Sequence, residues 1–369
     1  MYRNLFVCLV ACLTTVAWHG QLTAQSDSLP PRVDIPSTQL LTFTSSIVGQ
    51  EYQLFIHLPG SYQVDKGKAY PVVYLLDGQY DFPFLTGVYG GQYYDGFLPE
   101  LIIVGITWGG KNPDAGSLRG RDFTPTRIEG MPQSGGGPKF LAFIKEELIP
   151  FISSKYRVAN DRTLAGSSLG GLFTLYTLFN EPSLFHRYVL TSPALGWDNS
   201  VLRQHEKKFL ASGISTPIRL FIAVGDLEGN VPEFEQFVER IKQNKIKGLE
   251  LQTMILRNTG HAGTKPEGFA RGLQFVFERP SLMLAAGILN RYSGNYQVGN
   301  DTVRLSAEKG RLVAITPGGD KIVLEAETEN DFYLKGQFLR IHFKKEEGEK
   351  VSGFQVVQFQ NELFARKLN

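Results

Sequence analysis

Apolar and polar positions fall into two regimes along the chain. In the first, apolar runs alternate with helical patterns. TQLLTFTSS (38–46) and EYQLFIHLP (51–59) alternate in and out, which predicts a hairpin of two half-buried strands. YPVVYLLDG (70–78) and LIIVGITW (101–108) are continuous apolar runs, as in strands covered on both faces of a parallel sheet. RTLAGSSLGG (162–171), RYVLTSPAL (187–195), PIRLFIAVGD (217–226) and LELQTMILRN (249–258) continue the series. Between these runs lie helical patterns at 138–156, 172–181, 201–212 and 231–245. Strand alternating with helix predicts a doubly wound, mostly parallel α/β sheet.

The second regime starts near residue 284. From there to 369 short alternating strands are punctuated by Gly, Asn and Asp turns, and no helical period of useful length remains. The expected organisation is an α/β domain over 26–283 and a small antiparallel β domain over 284–369. Within the first domain, residues 109–138 are rich in glycine, broken by proline and without period. A long aperiodic loop after a strand, on the sheet edge where open α/β folds bind ligands, is expected to serve function.

The first 25 residues carry one charge, Arg3, ahead of an apolar run from Leu5 to Trp18 and the small-residue stretch Leu22-Thr23-Ala24. That is the form of a cleaved signal peptide, and the run is short for a membrane span. A secreted or periplasmic protein without stable membrane insertion is expected. Cleavage would remove both cysteines, Cys8 and Cys12, so no disulfide is expected. Net charge is +2, and +1 without Arg3 (2 − 1). No basic stripe interleaved with aromatics occurs, which argues against a nucleic-acid partner. No H-E-x-x-H cluster occurs and no G-x-G-x-x-G opens a helix, so no metal or other cofactor is expected.

Gly166-Ser167-Ser168-Leu169-Gly170 fits G-x-S-x-G in one register only. Centring on Ser167 would need glycines where Ala165 and Leu169 stand. A strand-like run enters the motif and a helix-like run leaves it, the context of a nucleophile elbow with Ser168 as nucleophile. A serine hydroxyl needs a base, and the base an orienting carboxylate. Among six histidines only His261, in NTGHAG, lies in a Gly-rich loop straight after the last predicted strand. The acid should follow LFIAVG, where GDLEGN offers Asp226 and Glu228. Glu228 sits deeper in the loop, with more freedom to reach His261, and Asp226 stays open as the alternative. Two backbone N–H groups should hold an oxyanion, those of Leu169 and of Gln79 after the Asp77-Gly78 turn. Asp77 itself is expected to hold that turn. Arg119, Arg121 and Arg127, with Asp122, lie in the long loop. The arginines could meet an anionic ligand, and Trp108, Phe123 and Trp197 could stack on one.

LLDGQYDF, RGRDFTPTR, AGSSLGG, LTSPALGW, VGDLEGN and GHAG, in this order, resemble the esterase D/enterochelin esterase-like branch of the α/β-hydrolases, which includes feruloyl and acetylxylan esterases. The resemblance spans about residues 38–280. It implies a lidless serine hydrolase acting on esters, with an acid in the GDLE loop and an oxyanion amide after Asp-Gly. YSGNY (292–296) is similar to the start of a small β domain appended to secreted bacterial hydrolases. The substrate expected is a small-molecule or glycan ester, siderophore-type esters included. The alternatives are acyl transfer through the same acyl-enzyme and a non-catalytic ligand-binding protein on this scaffold.

Overall fold

The structure is a computed structural model describing residues 33–346, 350–359 and 361–368. The signal peptide expected over 1–25, with both cysteines, lies outside the described residues.

The α/β part contains strands β1 (Thr38–Ser45), β2 (Gln50–His57), β3 (Tyr70–Leu75), β4 (Ile102–Trp108), β5 (Val158–Ser167), β6 (Arg187–Thr191), β7 (Ile218–Gly225) and β8 (Leu249–Leu256). Their order in the sheet is β1-β2-β4-β3-β5-β6-β7-β8. β1 and β2 form the expected antiparallel hairpin, β2 joins β4 antiparallel, and every later pair is parallel. β4 is buried at every position, as a strand covered on both faces must be.

The helices are α1 (Gly78–Tyr94), α2 (Ala115–Phe123), α3 (Gly137–Phe143), α4 (Ile149–Lys155), α5 (Leu169–Asn180), α6 (Trp197–Ser200), α7 (Leu202–Ser212), α8 (Val231–Gln243), α9 (Thr264–Val276) and α10 (Ala286–Tyr292). Two of them, α2 and α10, correct the sequence reading. The loop 109–138 contains α2, whose N-terminus is closed by the Asp114 carboxylate accepting the Ser117 N–H at 3.2 Å. The helical pattern expected at 138–156 is present, as α3 and α4 joined without a break by a π turn over Ile144–Leu148. The C-terminal part opens with α10, too short at seven residues to show a period. Helix α9 was invisible for another reason. Its Gly268 and Gly272 lie so close to β6 that an added Cβ would fall 2.4 Å from Thr191 Cγ2 and 2.3 Å from Val189 Cγ1. Close packing here takes glycines, which blank the apolar period.

Strands β9 (Gly294–Val298), β10 (Asp301–Glu308), β11 (Arg311–Ile315), β12 (Lys321–Ala326), β13 (Asp331–Tyr333), β14 (Arg340–Lys345), β15 (Val351–Gln358) and β16 (Asn361–Lys367) form a closed antiparallel barrel. Closure removes the unpaired edges. Leu289 and Tyr292 of α10 belong to the barrel core with Tyr296, Phe332, Phe343 and Phe354, and Tyr292 stacks on Phe343 at 4.0 Å.

The barrel meets the α/β part at the far ends of α1 and α9. Tyr93 faces Phe338 at 5.1 Å, Glu278 meets Lys335 at 3.5 Å, and Arg279 lies 5.2 Å over the Tyr333 ring. Both helices start at the carboxyl edge of the sheet. At ~1.5 Å rise per residue, the 17 residues of α1 set these contacts about 25 Å from the turn holding Gln79.

Candidate active site

Ser168, Ser192, Glu228 and His261 follow β5, β6, β7 and β8, so the parallel topology delivers all four to the carboxyl edge of adjacent strands. Ser168 sits between β5 and α5 at φ 60°, ψ −119°, a strained conformation for a non-glycine residue. Close crossing of strand and helix forces the turn: a Cβ at Gly166 would lie 2.7 Å from the Gly170 backbone. The turn is pinned by Ser168 N–H donating to Thr191 O at 3.0 Å and Ala194 N–H donating to Ser168 O at 3.2 Å. Ser168 Oγ has no hydrogen-bond partner among the described residues.

His261 opens a short 3-10 turn ahead of α9. Its Nδ1 lies 2.7 Å from Glu228 Oε2. Nδ1–H donated to the carboxylate leaves Nε2 with a free lone pair, the tautomer a general base needs. The His261 side chain is 53% exposed and Glu228 only 5%, so the carboxylate is sheltered while the imidazole reaches solvent. Oε1 of Glu228 accepts from Ser192 Oγ at 2.6 Å and from Gly225 N–H at 2.7 Å. Burial alone would raise the Glu228 carboxyl, but these donors and His261 outweigh it and hold it below its ordinary range. Asp226, the alternative acid, points elsewhere and accepts the Thr259 N–H at 3.1 Å, fixing the loop that carries His261.

Leu169 and Gln79 are the first residue of α5 and the second of α1. A helix leaves its first-turn N–H groups without intrahelical partners, so both can receive an oxyanion. Asp77 holds the turn before Gln79 at φ 55°, in the left-handed region that Asp tolerates. Its Oδ1 accepts from Arg119 Nε at 2.7 Å, and Arg119 Nη2 donates to Ser167 O at 3.0 Å. One guanidinium therefore ties the residue before each turn. Asp81 of α1 pairs with Lys265 of α9 at 2.7 Å, joining the Gln79 helix to the His261 helix.

The expected substrate contacts divide. Asp122 is fully buried and Trp108 nearly so. Asp122 accepts from Tyr52 OH and Trp108 Nε1, each at 2.7 Å, and pairs with Arg121 Nε at 2.7 Å. Asp122 and Trp108 thus form an internal cluster that anchors α2 to the sheet, and Phe123 packs in the core beside them. Arg119 and Arg121 are occupied by Asp77 and Asp122, which leaves Arg127 as the loop arginine exposed without an ion pair among the described residues. Trp197, half-buried with its Nε1 3.3 Å from Thr126 O, opens α6 just after the loop whose Ala194 bonds Ser168. Among the described residues no three His, Cys, Asp or Glu side chains gather to hold a metal, and no helix is long and apolar enough to cross a membrane.

Residues 45–250, more than half the chain, match the family model Esterase, described as "Putative esterase". The chain belongs to this esterase family. The ferri-bacillibactin esterase BesA of Bacillus subtilis is 30% identical over 277 residues, covering 69% of this chain and 94% of the relative. Two solved structures share the fold. The BES protein from Bacillus cereus superposes with a TM-score of 0.62 at 29% identity, over 68% of this chain and 98% of its own. An IroE-like serine hydrolase from Shewanella oneidensis gives 0.58 at 26%, over 65% and 80%. This esterase is a hydrolase of esters on an α/β-hydrolase sheet, to which the closed barrel is appended.

Proposed function

We propose that this esterase works through Ser168, with His261 as general base and Glu228 as its orienting acid. Ser168 Oγ attacks the ester carbonyl while His261 Nε2 takes its proton. The N–H groups of Leu169 and Gln79 hold the oxygen that becomes negative. Collapse expels the alcohol, which receives the proton from His261, and leaves an acyl group on Ser168. Water, deprotonated by His261, then attacks the acyl carbon, and the acid leaves as Ser168 recovers its proton. The observation that carries the reading is the 2.7 Å contact between His261 and a sheltered, ionised Glu228, on strand ends next to a strained Ser168. The bond from Ser168 to His261 is left for substrate to close, as is common in free enzymes. Hydrolysis of p-nitrophenyl acetate should vanish in Ser168→Ala with the fold intact. Full activity of that variant overturns the reading.

The substrate reading extends to siderophore-type esters, supported by the ferri-bacillibactin esterase among the relatives and by Arg127, exposed and without an ion pair among the described residues, on the loop beside the site. Chromatographic assay of a ferric catecholate trilactone against acetylated xylan decides between this class and glycan esters. Export, with residues 1–25 removed, completes the proposal and is tested by N-terminal sequencing of the expressed protein.

A further inference from the structure

Ser192 follows β6 at φ 45°, fully buried, in a conformation that serine adopts at a cost. Its N–H donates to Ala223 O at 2.7 Å, so β7 fixes its place. Its hydroxyl lies 2.6 Å from Glu228 Oε1 and 2.8 Å from Thr264 Oγ1. Thr264, also fully buried, donates to the backbone oxygen of His261 at 2.8 Å. His261 returns to Glu228 through Nδ1. The contacts close a ring: Glu228, Ser192, Thr264, His261 and back to Glu228.

We infer that Ser192 and Thr264 are positioning residues for the esterase reaction, fixing the carboxylate and the imidazole relative to each other through this ring. The inference rests on the reading of Glu228 and His261 given above. A carboxylate held only by Gly225 N–H and His261 could pivot about its Cγ–Cδ bond. The Ser192 hydroxyl occupies Oε1, so Oε2 alone faces Nδ1. Thr264 acts on the other partner. By holding the His261 carbonyl it sets the start of α9, and with it the direction in which the imidazole leaves the backbone. The two hydroxyls have one hydrogen each for four oxygen contacts, the longest being Ser192 Oγ to His261 O at 3.5 Å. Ser192 gives its hydrogen to the charged acceptor, the shorter bond, and Thr264 shares its own between His261 O and Ser192 Oγ. Among the described residues, His261 is the only titratable side chain bonded to Glu228. The strained backbone at Ser192 is stored where this geometry is needed.

Ser192→Gly separates function from folding. Glycine adopts φ 45° freely, so the variant loses the hydroxyl while shedding the strain. Its melting temperature should stay within ~5 °C of wild type. Its kcat on p-nitrophenyl acetate should fall roughly tenfold, as for one hydrogen bond to a charged group, with KM within about twofold. The titration of the folded-state Glu228 carboxyl, read from the pH dependence of stability against Glu228→Gln in the same background, should move up, because Glu228 loses a donor that favours its ionised form. A merely structural serine would move neither kcat nor this titration. Thr264→Val, which keeps the shape, should lower kcat without moving the titration as far, and it carries the test if Ser192→Gly does not fold. Labelling by a fluorophosphonate is run in parallel. Wild type labelled at Ser168 in a His261-dependent manner, with both variants at wild-type kcat and titration, overturns the ring and leaves the serine reading standing. Wild type unlabelled at Ser168 removes both.

Discussion

Replacing Arg119 with alanine leaves the Asp77 carboxylate, 1% exposed, without its 2.7 Å partner. Breaking a buried ion pair on one side costs about 3–5 kcal/mol. Arg119 is 22% exposed, so water can enter the space it vacates, and the lower end, about 3 kcal/mol, is the better figure. Asp77→Asn alone keeps an acceptor for Arg119 Nε and a residue that tolerates φ 55°, and should cost about 1 kcal/mol. In the Arg119→Ala background the sign reverses. Asp77→Asn there removes the uncompensated charge and should return about 1 kcal/mol or more. Urea unfolding of the four proteins at pH 7, followed by circular dichroism, measures this cycle directly. If Asp77→Asn destabilises both backgrounds equally, the pair is not a buried charge tie and the account of how the two turns are joined is wrong.

Glu228→Gln should lower kcat by about two orders of magnitude or more, since a triad without its carboxylate loses the imidazolium partner, while Asp226→Asn should stay within severalfold of wild type; steady-state kinetics at pH 7.5 separates them. Because the Glu228 carboxyl is held below the usual 4.5 in the folded protein, it contributes stability that is fully present above that pH and is lost as pH falls through the folded value, so the stability difference between wild type and Glu228→Gln should shrink on acidification, as read from melting temperatures between pH 3 and 7. Asp122→Asn should reduce stability by about 2–3 kcal/mol through the Tyr52, Trp108 and Arg121 contacts, leaving KM within twofold.

The residues brought together at the sheet edge were legible where the signal was local or ordinal. G-x-S-x-G needs five neighbours, and the order serine, acid, histidine needs only strands counted in sequence. The choice of Glu228 over Asp226 as the residue meeting His261 followed from reach along one loop. What escaped depended on segments that meet only after folding. Trp108 looked open at a strand end, and Asp122 in the long loop, because Tyr52, which covers them, comes from a hairpin strand seventy residues earlier than Asp122. Arg119 looked free for an anion because Asp77, its partner, lies 42 residues away. Ser192 is an ordinary serine in LTSP until β6 and β7 become neighbours and bring Glu228 to it. Helix α1, GQYDFPFLTGVYGGQYY, contains Pro83 and four glycines and has apolar residues on every side, so neither propensity nor period announces it.

Whether His261 activates Ser168 as a nucleophile is decided by incubating the protein with a fluorophosphonate and locating the adduct by peptide mass spectrometry. One adduct is expected, on the peptide holding Ser168, abolished by Ser168→Ala and by His261→Ala and slowed in Glu228→Gln. An adduct on another residue, or none on a protein that still hydrolyses p-nitrophenyl acetate, would rule out Ser168 as the nucleophile.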